Sequence, residues 1–229
     1  MTYLLFLFST ALAGPLPLQG GAGLHVNAAG TFLTQPLEAE VDGFVVPAQG
    51  WGGFGAGGGL ALEARAFDFL GVEVDIIRRK DVAQTEFDLL GNIYPFQVSQ
   101  AAWHVPILLK FVMPKGVVRP NVVGGGEFVI PGQASITEPG GLETELAAHS
   151  DPYKAWAFGF GLEIVPKGLP IDLRFPINLR GAYNTGIGPG ADDRADYEIG
   201  FDGLLEAVDY RSVWEWHASA TVGASVFFP

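Results

Sequence analysis

The chain of 229 residues contains no cysteine and only two methionines. Without cysteine there is no disulfide scaffold, thiolate metal site, cysteine nucleophile or lipidated N-terminal cysteine. Positive charge is scarce: 13 Lys and Arg stand against 25 Asp and Glu, a formal net charge of -12. Nucleic acid, which requires a basic footprint, is therefore not an expected partner. Charged residues of either sign make up 17% of the chain, and mean hydropathy is positive at +0.27. Yet no internal apolar run reaches the roughly 18 residues of a membrane-crossing helix. A buried all-β core or a lipid-facing barrel remains. No compositional break or Ser/Pro linker divides the chain, so one domain is expected.

What the chain does contain is alternation with a period of two. Leu60, Leu62 and Ala64 alternate with Glu63 and Arg65; Leu70, Val72, Val74 and Ile76 alternate with Glu73 and Asp75. Trp103, Val105, Ile107, Leu109, Phe111 and Met113 oppose His104 and Lys110. Trp156, Phe158, Phe160, Leu162 and Ile164 face away from Glu163, and Leu169 to Leu179 away from Asp172, Arg174, Asn178 and Arg180. The last stretch sets Trp214, Trp216, Ala218, Ala220, Val222, Ala224, Val226 and Phe228 against Glu215, His217, Ser219, Thr221 and Ser225. Weaker segments near Gly21–Leu33 and Asn121–Ile130 (with Glu127) complete eight predicted strands.

Connections alternate in length. Short turns are expected at Phe67–Phe69, Pro114–Arg119 and Pro166–Gly168, and long polar or Pro/Gly-rich loops at 34–50, 81–101, 131–153 and 184–212. Trp51, Trp103, Trp156 and the pair Trp214 and Trp216 recur once per two strands, which places them at the long-loop rim. Tryptophan settles at a membrane interface because its ring is apolar while its N–H seeks water. Phe67, Phe69, Met113 and Phe228 fall at the opposite rim. The expectation is an all-β, eight-stranded antiparallel up-and-down transmembrane β-barrel, with both termini on the short-turn, periplasmic side. Asp196–Val208 carries enough apolar residues for a further hairpin, which makes ten strands the alternative.

At the N-terminus, Tyr3–Ala13 is a short apolar run ending in Ala11-Leu12-Ala13, an A-x-A cleavage pattern without a basic n-region. Residues 1–13 are expected to be a cleaved signal peptide, and 14–229 the barrel domain. With this start, the segments HVPILLKF and RPNVVGGGEF and the aromatic end SVFFP, the chain resembles the small outer-membrane β-barrel proteins (OmpA-, OmpX- and OmpW-like barrel domains) over 14–229. The resemblance implies outer-membrane localisation, contact with outer-membrane lipid and lipopolysaccharide, and recognition of the C-terminal strand by the barrel-assembly machinery. In the family an aromatic usually ends the chain; here Pro229 follows Phe228 and displaces that signal by one residue.

An eight-stranded barrel is narrow enough for inward side chains to fill it. The inward set forms an expected lumen charge network: Glu63, Arg65, Glu73, Asp75, Lys110, Glu127, Glu163, Asp172, Arg174 and Arg180. A register centred on the Phe67–Phe69 turn puts Arg65 across from Glu73, a favourable cross-strand pair. Such a network holds the barrel shut; a conducting lumen is the alternative. Glu215, His217 and Ser219 also project inward, but residues two apart on a strand stand about 6–7 Å apart, too far for a Ser–His bond, and no catalytic residue is assigned. His25, His104 and His149 are scattered without metal-ligand spacing, so neither a metal site nor a cofactor is expected.

Arg78, Arg79 and Lys80 lie where the third strand meets its long loop, a position for contact with lipopolysaccharide phosphates. Most carboxylates fall in the long loops, and Asp192, Asp193 and Asp196 form a cluster able to bind a hard divalent cation weakly. The function these features suggest is a structural or interaction role, with acidic extracellular loops held around a side-chain-filled lumen. The alternatives are a narrow porin or hydrophobic small-molecule transporter, a soluble lipocalin-like barrel of opposite polarity, and a lipid-modifying barrel enzyme.

Overall fold

The computed structural model describes residues 18–33, 38–41, 44–47, 51–89, 92–137, 140–141, 143–145, 152–186, 196–199, 205–209 and 214–229. In chain order the strands are β1 (Leu18–Leu33), β2 (Glu38–Val41), β3 (Phe44–Pro47), β4 (Trp51–Ala66), β5 (Leu70–Leu89), β6 (Asn92–Val112) and β7 (Val118–Thr137). They continue as β8 (Glu143–Glu145), β9 (Tyr153–Ile164), β10 (Asp172–Asn184), β11 (Asp196–Ile199), β12 (Leu205–Asp209) and β13 (Trp216–Phe228). No described residue is helical.

Eight long strands run antiparallel in the order β6-β5-β4-β1-β13-β10-β9-β7, and pairing of β6 with β7 closes the cylinder. The first barrel strand meets the last, from Gly20 opposite Phe228 to Phe32 opposite Trp216. Closure leaves no edge whose N–H and C=O groups would face hydrocarbon unpaired. Both ends of the described barrel, Leu18 and Phe228, lie on the side of the short turns. The hairpin at Asp196–Asp209 adds nothing to the wall: β11 pairs with β12 and with β2, and β2 with β3, in a separate four-stranded sheet. The barrel thus has eight strands, not ten.

The structure corrects two local expectations. The segment 81–101 is mostly strand: β5 and β6 pair up to Leu89 opposite Asn92. At 20 and 21 residues they are about twice the 9–11 residues a tilted strand needs to cross a bilayer, so this hairpin projects beyond the membrane. Polar residues such as Asp81 and Gln84 made the segment read as loop, yet they continue the same two-residue period. The second correction concerns register. Phe67 and Asp68 both take left-handed φ values (54° and 62°), a tight turn closed by the Phe69 N–H donating to the Ala66 carbonyl at 3.3 Å. The hairpin is centred on Asp68, whereas an Arg65–Glu73 pair requires a centre at Phe69, so Glu63 faces Glu73 and Arg65 faces Gly71. Facing is unchanged because the slip is even.

The polarity is inside out. Leu24, Val26, Leu60, Leu62, Phe158, Phe160, Leu162, Ile177, Leu179 and Val222 are exposed around the wall, while charged and polar side chains dominate the buried set. Arg174 is 2% exposed and Ile177, three residues on, 40%. The inward glycines of β4 allow close strand contact: a Cβ at Gly57 would collide with the Arg78 carbonyl oxygen.

Candidate functional site

Inward alternation on seven strands builds a charged lumen with two storeys. In the lower one, nearer the short turns, Arg65 is the hub. Its Nη1 and Nη2 donate to the two oxygens of Glu163 at 3.0 and 2.6 Å, and its Nε donates to Glu63 at 2.6 Å. Lys110 Nζ donates to Glu63 at 3.0 Å and to Glu73 at 2.6 Å. Arg180 pairs with Glu73 and Asp75. Arg174 binds Asp172 through Nη2 at 2.5 Å and reaches Glu163 through Nη1 at 3.5 Å. The ring of Phe227 lies 3.6 Å from the Arg174 guanidinium and 4.9 Å from that of Arg65, which places it between two cations. Nine of the ten residues expected in the charge network therefore share this cluster; the tenth, Glu127, stands higher.

Every cation in this storey touches at least one carboxylate, which is the condition under which buried charge is tolerated. The space left among Glu63, Glu73, Asp75, Lys110, Glu163 and Arg180 is a cavity of about 20 Å³, roughly room for one water molecule.

The upper storey was not legible as a unit. Arg79 Nε donates to Asp81 at 2.6 Å, and the second oxygen of Asp81 lies 3.0 Å from His104 Nε2. His104 Nδ1 lies 2.6 Å from Glu127, whose other oxygen is 3.4 Å from His217 Nε2 across the lumen. The two imidazoles meet edge to face at 5.4 Å. Spacing along the chain found no ligand set here, because the three donors come from β6, β7 and β13. A signal existed in the dipeptides Trp103-His104 and Trp216-His217. In each, a tryptophan at the belt turns outward, so the next residue enters the lumen at that height. Ser219 is buried but makes no hydrogen bond to His217 among the described residues, so these two form no Ser–His pair.

At the long-loop rim, Trp103, Trp156 and Trp216 are exposed. Register aligns Trp156, Tyr183 and Trp216 on adjacent strands, and Phe32 stacks on Trp216 at 4.1 Å. Tyr183 and Phe32 thus extend the aromatic row beyond the tryptophans. Trp214 departs from it. Regular alternation starts only at Trp216, and Trp214 turns inward, 4% exposed, with its indole N–H donating to Gln100 at 3.1 Å. The side chain of Trp51 lies outside the described set. Of the basic triplet, Arg78 and Lys80 face outward, and Arg78 lies 5.4 Å from the Trp103 ring. Arg79 is buried, as alternation demands, and cannot contact lipid. The side chains of the Asp192, Asp193 and Asp196 cluster lie outside the described set, as do residues 1–17 with the expected signal peptide.

A closed barrel with paired charges inside, a hydrocarbon surface outside and aromatic residues at both rims is an integral outer-membrane β-barrel protein. Phe69, Met113 and Phe228 supply the second rim. In structure the chain is similar to the outer membrane protein OprG of Pseudomonas aeruginosa, at 12% identity over 91% of this chain and 96% of that one (TM-score 0.46). It is also similar to Ail, the attachment invasion locus protein of Yersinia pestis, at 14% identity over 91% and 99% (TM-score 0.37). Neisserial surface protein A matches at 13% identity over 90% and 95% (TM-score 0.37). No family model and no curated protein matches the chain.

Proposed function

We propose that this barrel is a closed anchor: it carries acidic loops on the outer face of the membrane and has a structural or interaction role rather than a conducting one. The observation that supports this reading best is the lower storey, where interlocked ion pairs leave a cavity of about 20 Å³ and no room for a hydrated ion. Residues 1–13 act as the export signal, and the strand ending at Phe228 engages the assembly machinery. Arg78 and Lys80, exposed near Trp103, meet lipopolysaccharide phosphates, to which cations at this depth are attracted.

Single-channel recording of the purified protein in planar bilayers tests the closed lumen. The anchor reading predicts a silent membrane under a steady potential. A stable, repeatable conductance step would replace it with the narrow-porin alternative.

A further inference from the structure

We propose that His104, Glu127 and His217 form a binding site for a divalent transition-metal ion of the zinc type inside the upper lumen. One ligand atom from each residue lies within 4.8 Å of the other two, and all three residues are buried. In a tetrahedral site with bonds of about 2.0–2.1 Å, ligand atoms stand about 3.4 Å apart. Glu127 and His217 Nε2 already have that separation, at 3.4 Å. His104 Nδ1 sits closer to Glu127, at 2.6 Å, a separation that needs a proton between them, and Arg79 Nη2 lies 3.4 Å from the same nitrogen. An ion takes the place of that proton, with a small outward movement of the His104 ring.

Three further features favour an ion here. Asp81 receives the far nitrogen of His104 at 3.0 Å, the carboxylate–histidine–metal arrangement that fixes the tautomer and ring orientation of a ligand. Two imidazoles and one carboxylate are a donor set suited to zinc and unsuited to calcium or magnesium, which prefer oxygen alone. Charge balance also separates the two storeys. Below, Arg65, Lys110, Arg174 and Arg180 face Glu63, Glu73, Asp75 and Glu163 inside the lumen, and the fifth carboxylate, Asp172, is 38% exposed, so water shares its charge with Arg174. Above, Arg79 alone faces Asp81 and Glu127, so a further positive charge is called for among the histidines. Three protein ligands leave a fourth position for water.

The test uses the full-length protein folded in detergent, stripped with a chelator and titrated with Zn²⁺ by calorimetry. One tight equivalent per chain is expected. His217→Ala and Glu127→Gln should each weaken it tenfold or more, and Asp81→Asn about 10–100-fold through loss of ligand orientation. Heat-modifiable migration verifies that each variant is folded. If a variant does not fold, Co²⁺-loaded wild type decides the matter: visible bands of a tetrahedral site and shifted imidazole N–H proton signals are expected. No stoichiometric Zn²⁺ binding, binding that both variants retain in full, or a Co²⁺ form without imidazole signals would each overturn the site. In the last two cases the ion is on the loop carboxylates. The closed-lumen reading is tested separately by conductance and survives any of these results.

Discussion

The two storeys of the lumen use the same kinds of residue for different ends. The lower one neutralises itself within the lumen: four cations interlock with Glu63, Glu73, Asp75 and Glu163, the fifth carboxylate, Asp172, is 38% exposed, and Phe227 fills the gap between two guanidinium groups. The upper one is short of positive charge and holds two titratable rings where the lower one holds fixed cations. A self-neutralising cluster gains nothing from an ion and resists removal of any member. A cluster that lacks one charge responds to what enters it. The difference arises from a few positions on the same wall, since β6 places Lys110 below and His104 above, six residues apart on one face.

Removing a member of the lower cluster should cost most. Glu163→Ala leaves Arg65 with Glu63 as its remaining partner and is expected to destabilise the barrel by about 3–5 kcal/mol, as breaking a buried ion pair does. Urea unfolding in lipid, followed by tryptophan fluorescence, measures it; an effect under 1 kcal/mol would mean that water reaches the plug. Placing the same kind of charge on the outer face comes next. Leu60→Arg should cost about 2–4 kcal/mol near the membrane midplane in the same assay, whereas a soluble barrel would tolerate it. In the upper storey, Glu127→Gln without metal keeps the side-chain shape and should cost about 1–3 kcal/mol. If it proves as damaging as Glu163→Ala, the contrast between the storeys fails. Smallest is Arg78→Ala, which removes the contact with Trp103 and should cost about 0.5–1 kcal/mol. Its larger effect is expected on binding to lipopolysaccharide-containing vesicles, read by flotation.

The architecture was largely legible because a barrel wall writes its two faces directly into the chain as alternation. Glu73, Asp75, Lys110 and Glu163 could be assigned to the interior from parity alone. Parity does not fix register, and so Arg65 was matched with Glu73 when a left-handed pair at Phe67 and Asp68 shifts the hairpin by two residues. Alternation also holds only within a strand. Trp214 lies before the start of β13 and turns inward, against the pattern that Trp216 obeys. The upper cluster was hidden for a different reason. β6 and β13 stand on opposite sides of the closed cylinder, so no local spacing relates His104 to His217. Only their shared position next to a belt tryptophan does so.

The unequal heights of the wall have a consequence for encounters at the cell surface. β5, β6 and β7 run 20, 21 and 20 residues, whereas β9 and β10 stop at 12 and 13. The strand rim is therefore a slope, with a parapet on one flank and a low sill on the other. Among the described barrel strands, the tall flank gives anything that settles on the mouth a sheet to lean against. A partner that leans on it takes a preferred heading in the plane of the membrane, although the cylinder beneath is closed all the way round.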